Sequence, residues 1–247
     1  MYRALGIYGE YFFVPGDWTE EFMQRMIAVS EEGIKFARDW LDYDGDTRII
    51  GVYGIYIHGT PRTNPYSLMQ MGFVGGYFFR GEIFVSIQKE RWPMVIVHEA
   101  VHAILNLQGR VSNFPRVPEN SQLYNLMFLE EGLAELIEFL FSLETDHPYT
   151  INFTQDEEFT TANLHKWAID QFEFSNNFED EERYGLIYPQ LMSHRTAASF
   201  IYYLVTYRGT IEDFNRVFDD INLMEEVYGI TMGDMIEEWM EYLEQFR

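Results

Sequence analysis

Cysteine is absent from the 247-residue chain, which excludes a disulfide framework and any thiolate ligand, so a metal site here must use histidine and carboxylate. Lysine is nearly as scarce, occurring only at Lys35, Lys89 and Lys166. Against 17 basic residues stand 40 acidic ones, a formal charge of -23. That charge repels phosphate backbones and anionic lipid surfaces, so no nucleic-acid partner is expected. The acid excess and the lysine shortage fit a salt-rich habitat, while the high aromatic content favours the plainer reading of a solvated acidic surface. No apolar run approaches the roughly 18 residues of a membrane span. The opening Met1-Tyr-Arg-Ala-Leu-Gly6 lacks the apolar stretch of a secretion signal. A soluble chain is expected, with compartment and oligomeric state left open.

What the chain does contain is enough apolar material, 47% of residues, to bury a substantial core. One domain over 1–247 is expected, in which 1–109 supply a helix, a sheet and a further helix, and 110–247 form a helical subdomain. Asp17-Trp-Thr-Glu20 has the spacing of a capping box and opens a helix carrying Phe22, Met26, Val29, Ala37 and Trp40 inward, ending near Asp42. Arg48 to His58 and Glu82 to Ile87 read as strands, rich in β-branched and aromatic residues. Between them, the glycines of Gly72-Phe-Val-Gly-Gly-Tyr-Phe-Phe79 permit close backbone approach. Gly75, Gly76 and Tyr77 therefore mark either an edge strand able to pair with an extended peptide or an ordinary bulge or turn.

From Ser86 onward the period becomes helical. Trp92-Pro93 opens a helix that runs to about Leu107 and stops at Gly109. A second apolar helix spans about Leu123 to Leu143. Residues 144–188 are polar, charged and aromatic, and read as an insertion of loops and short helices. A third apolar helix covers about Pro189 to Tyr207 and ends at Gly209. Two more follow the caps Thr210-Ile-Glu-Asp213 and Thr231-Met-Gly-Asp234. The class is α+β: a small mixed sheet near the N-terminus and a mainly helical C-terminal half.

The first of these apolar helices carries His98-Glu-Ala-Val-His102, the HExxH pattern. Positions four apart lie on one helical face a turn apart, so the two imidazoles can converge on one ion. Glu99 sits one residue round, within reach of a metal-bound water. A catalytic zinc takes three protein ligands and leaves a fourth position to water. A third histidine on the metzincin plan would need glycine at 105 and histidine at 108, where the chain has Leu105 and Gln108. The following helix offers carboxylates instead, at Glu130, Glu131 and Glu135. Glu131 and Glu135 share a face, so one could ligate while the other hydrogen-bonds a ligating histidine.

His98-Glu-Ala-Val-His102 followed by Phe128-Leu-Glu-Glu-Gly-Leu-Ala134 resembles the gluzincin metallopeptidases, in particular the peptidase MA-like domains related to the M1 aminopeptidases, which pair HExxH with Leu-x-Glu-Gly-x-Ala. The Gly-Gly-Tyr strand, the helix Ala198-Ser-Phe-Ile-Tyr-Tyr-Leu204 and the tail from Tyr228 to Tyr242 also look like these domains. The resemblance covers about three quarters of the chain and leaves out 144–188. It implies a zincin-like fold with an HExxH active-site helix and one zinc ion on His98, His102 and Glu131, with Glu135 supporting a ligand. M1 relatives stabilise the oxyanion with a tyrosine. The corresponding position here is His194, which could serve as an N–H donor, with Tyr188 the competing candidate.

The expected activity is zinc-dependent hydrolysis of peptide bonds in a peptide or protein substrate, with Glu99 as general base, and more as an endopeptidase than an aminopeptidase. The alternative is a zincin-fold module that binds peptides or regulates without turnover, motivated by the missing tyrosine and the insertion. His58, His147 and His165 show no partner pattern and read as ordinary surface or core residues.

Overall fold

Thr19 starts the first helix, α1 (Glu20–Trp40), by accepting the Phe22 N–H on its side-chain oxygen. The cap therefore falls two residues later than the Asp17-based box predicts, and Asp17 lies outside the described residues. Trp18 stacks on Phe22, 5.8 Å between ring centroids, which orients the chain entering the cap. The computed structural model of the protein describes residues 2–13, 18–46, 48–53, 76–79, 81–85, 92–110, 122–145, 160–176 and 194–247. They fall into two compact units, one comprising Met1–Ser112 with Ile137–Asp156, the other Asn113–Leu136 with Glu157–Arg247.

The first unit contains a five-stranded mixed sheet. Its strands are β1 (Tyr2–Leu5), β2 (Gly9–Phe13), β3 (Ile49–Tyr53), β4 (Gly76–Phe79) and β5 (Glu82–Val85), in the order β1-β2-β3-β5-β4. The outer pairs are antiparallel and the inner pairs, β2 with β3 and β3 with β5, are parallel. The β1–β2 turn is tied to α1 by one residue: the Glu31 carboxylate accepts from the backbone N–H groups of Ile7, Tyr8 and Gly9 and from the Tyr11 hydroxyl. Among the described residues β4 is the far edge of the sheet, so Gly76 and Tyr77 lie on an edge strand, one of the two readings open to them, and Gly75 lies outside the described residues.

Helix α2 (Trp92–Leu107) packs against α1, β4 and β5. Apart from His98, Glu99 and His102 its middle is apolar on every side, as in a helix covered all round: Met94, Ile96, Val97, Ala100, Val101, Ala103, Ile104 and Leu105 are all buried. Gly33 of α1 permits the close crossing, because a Cβ there would lie 2.7 Å from Val97 Cγ2. The chain leaves α2 at Gly109, in the left-handed region with φ +72.

Helix α3 (Gln122–Glu144) belongs to the second unit as far as Leu136 and to the first from Ile137 on. In the second unit, α4 (Thr161–Asn176) packs on α5 (His194–Tyr203), which continues as a π-helical turn, Leu204–Arg208, up to Gly209. Residues 189–193, expected to begin the third apolar helix, lie outside the described residues. Then follow α6 (Ile211–Asp219), the short α7 (Met224–Tyr228) and α8 (Met232–Leu243). The predicted caps are present: Thr210 and Asp213 form a reciprocal capping box, and Thr231 accepts from the Asp234 N–H.

One expectation needs correction. The region 144–188 holds a 16-residue helix, α4, rather than only loops and short helices. Its buried side includes Leu164, His165 and Ala168, and covering that side with α5 stabilises a helix whose own apolar pattern is weak. Among the described residues no helix is long and apolar enough to cross a membrane.

Candidate metal centre

Two turns of α2 place His98, Glu99 and His102 together, and all three are buried despite their polarity. The two imidazole rings lie 5.0 Å apart between centroids, as expected for residues one turn apart on one face. A buried imidazole needs a partner for its ring nitrogens. For His98 that partner is Glu138 of α3: Nδ1 lies 3.2 Å from Glu138 Oε2, and both side chains are enclosed. A carboxylate at Nδ1 holds the proton on that nitrogen and leaves the Nε2 lone pair for a metal, while fixing the ring's orientation.

The motif pattern does not single out Glu138, although two signals in the sequence point to it. It interrupts the apolar run Leu136-Ile-Glu-Phe-Leu140, where an isolated carboxylate requires a buried partner. It also lies seven residues after Glu131 and three after Glu135, which puts the three acids along one face of α3.

In the second unit, Glu131 and His194 come together. His194 Nε2 lies 3.7 Å from Glu131 Oε2, with His194 more than half exposed and Glu131 about a third exposed. The residue carried over as third ligand thus faces the residue carried over as oxyanion donor. Glu135 is buried, and its Oε1 lies 3.6 Å from Nε of Arg195, a second residue that the motif pattern does not single out. Tyr188 lies outside the described residues. Glu130 is partly buried.

Gly132, between Glu131 and Leu133, has a structural reason to be glycine. A Cβ at this position would lie 2.6 Å from Ala197 Cβ and 2.8 Å from the Ala197 carbonyl carbon. Helix α5 therefore runs against the α3 backbone here, bringing its first residues, His194 and Arg195, alongside Glu131 and Glu135. The Glu-Gly pair of the motif joins a candidate ligand to the residue that lets the next helix approach it.

The donor set fits zinc: two imidazoles on one helical face and carboxylates nearby, with no thiolate in the chain. Glu99, between the two histidines in sequence and one residue round the helix, is a buried carboxylate in a largely apolar helix. Comparison of the chain with family models, curated proteins and solved structures gives no match. The functional reading rests on the residues themselves.

Proposed function

We propose that this chain is a zinc-dependent peptidase of the gluzincin type with a zincin-like fold. The observation that carries the reading is the α2 arrangement: His98 and His102 buried one turn apart, Glu99 buried beside them, and Glu138 set against His98 Nδ1. One zinc ion would be held by His98, His102 and Glu131, and when bound it supplies a Lewis acid and lowers the pKa of water toward neutrality. Glu99 takes the proton of the attacking water and returns it to the leaving amine. His194 offers an N–H to the oxygen on which negative charge develops. Glu138 keeps the His98 ring in one orientation, and Glu135 supports the same cluster from α3.

A peptide or protein substrate with its chain extended on both sides of the cut bond suits the edge strand β4, because α2 packs against that strand and, among the described residues, its outer side pairs with no other strand. That placement favours endopeptidase over aminopeptidase action. Glu99→Gln is expected to lower cleavage of a peptide library by about 100- to 10,000-fold, with zinc content unchanged by mass spectrometry. Undiminished cleavage by this variant would remove the mechanism. Peptide binding by the zinc-loaded wild type without any cleavage would leave the non-catalytic peptide-binding module.

A further inference from the structure

Helix α5 opens with two consecutive residues that face carboxylates one turn apart on α3, His194 toward Glu131 and Arg195 toward Glu135. The Arg195 guanidinium also lies over the Trp167 ring of α4, 4.8 Å from the centroid. Stacking occupies the face of a guanidinium and leaves its in-plane N–H groups directed outward. The contact to Glu135 is made through Nε at 3.6 Å, beyond ordinary hydrogen-bond length. The two terminal nitrogens have no partner among the described residues. With its side chain 27% exposed, Arg195 is open to a ligand.

Neutralising the buried Glu135 accounts for a positive charge at this place. It does not account for a planar fork held on an indole with its terminal donors open. Such a fork matches a carboxylate, which it can bind through two parallel hydrogen bonds. On a chain of net charge -23, most of the surface repels an anionic group. An open arginine beside the pair Glu131–His194 is a place where such a group can be attracted.

We propose that Arg195 is a specificity-determining residue that binds a carboxylate of the substrate peptide, either its C-terminus or an Asp or Glu side chain. This rests on the peptidase reading and adds the substrate class to it. The chain then acts on peptides that carry a free acid close to the cut bond. Arg195 discriminates among substrates, and Glu99 acts on the one that is bound.

The test is binding of labelled peptides, followed by fluorescence anisotropy, to zinc-loaded protein carrying Glu99→Gln. Two matched pairs are compared, one with a C-terminal acid or amide and one with an internal Glu or Gln. In at least one pair the acid form binds about 10- to 100-fold more tightly, as for a charge-assisted bidentate contact. The pair that responds identifies the source of the carboxylate. Adding Arg195→Gln brings the acid and amide forms to within about 3-fold, and Arg195→Lys, a point charge without the fork, gives an intermediate ratio. Should Arg195→Gln fail to fold, judged by its circular dichroism melt, Arg195→Lys carries the comparison.

Equal binding of acid and amide forms, a preference that survives loss of Arg195, or no binding of any peptide overturns the inference. Uniform weakening of all four peptides overturns it as well, since that outcome belongs to Glu135 neutralisation alone. Failure of the peptidase reading appears separately, as absence of cleavage by protein that retains Glu99, and leaves the binding ratios unaffected.

Discussion

Two histidine–glutamate pairs, one in each unit, are built differently. In the first unit, His98 and Glu138 are 3.2 Å apart and almost wholly enclosed, with side-chain exposures of 10% and 3%. In the second unit, His194 and Glu131 are 3.7 Å apart, with exposures of 57% and 35%. Burial makes the first pair costly to leave incomplete and therefore rigid, because neither group has water to fall back on. The second pair is more exposed and worth little as an ion pair. On the proposed function, the enclosed pair would fix the orientation of one ligand, while the exposed pair would be open to ligand and substrate.

The sharpest way to break that comparison is to measure zinc. Glu131→Ala removes the proposed third ligand and is expected to abolish stoichiometric zinc by mass spectrometry. Glu138→Gln leaves the three proposed ligands but loosens the orientation of His98, and is expected to weaken zinc by about 10- to 100-fold in a competition titration with a chelator. His194→Ala takes away the exposed partner, and zinc affinity is expected to stay at the wild-type value while cleavage falls by about 100- to 1,000-fold. Equal losses of zinc from Glu138→Gln and His194→Ala would erase the distinction between the halves.

A third histidine sharpens the contrast, because His165 is buried and, among the described residues, has no carboxylate partner. Its Nδ1 lies 2.9 Å from Ser199 Oγ, which also accepts the Trp239 indole N–H at 3.3 Å. Rings of Phe246, Tyr242 and Tyr202 surround it at 4.5, 5.2 and 5.5 Å between centroids. Burial pulls its pKa from 6.5 down to about 4. The unfolded chain therefore takes up a proton below pH 6.5 that the folded chain refuses until about pH 4. The neutral ring contributes stability that is complete above pH 6.5 and is lost as pH falls toward 4. The gap from 6.5 to about 4 corresponds to about 3 kcal/mol. Urea unfolding of wild type and His165→Asn at pH 7 and pH 4 is expected to show the wild-type advantage shrinking by about that amount. A difference independent of pH would mean that His165 is not neutral in the folded state.

How much of this is legible in the sequence depends on whether the signal is local. Gly109, the Thr210–Asp213 box and the Thr231 cap are legible because turn and cap chemistry involves residues a few positions apart. The α2 and α3 spans are legible to within about a residue because both are long and apolar. Helix α4 is not, since Leu164, Ala168 and Ile169 are interleaved with His165, Lys166 and Asp170, and it is packing against α5, α8 and the C-terminal turn that makes that face a core. At the first helix two capping side chains compete, and the stacking of Trp18 on Phe22 accompanies the later one. The ligand pattern is legible as spacing, but Glu138 and Arg195 act across helices, and no spacing rule pairs α3 with α2 or α5.

The smallest expected effect compares the two helix crossings, one in each unit. Both rest on a glycine, and in both a Gly→Ala change gains about 1 kcal/mol of helix propensity. At Gly33 the added Cβ meets one terminal methyl, Val97 Cγ2 at 2.7 Å, with the next atom at 3.8 Å. A small shift of Val97 relieves the contact, although its β-branched side chain has few rotamers to choose from. At Gly132 the added Cβ meets Ala197 Cβ at 2.6 Å and the Ala197 carbonyl carbon at 2.8 Å. Backbone cannot rotate away, so α5 itself must move, at the upper end of the roughly 1–3 kcal/mol that overpacking costs. Gly33→Ala is therefore expected to be nearly neutral in urea unfolding, and Gly132→Ala destabilising by about 2 kcal/mol. Because α5 carries His194 and Arg195, Gly132→Ala should also lower cleavage under conditions where the protein remains folded, whereas Gly33→Ala should not. The reverse order of stabilities would show that the α1–α2 crossing, rather than the α3–α5 crossing, is the one without room to adjust.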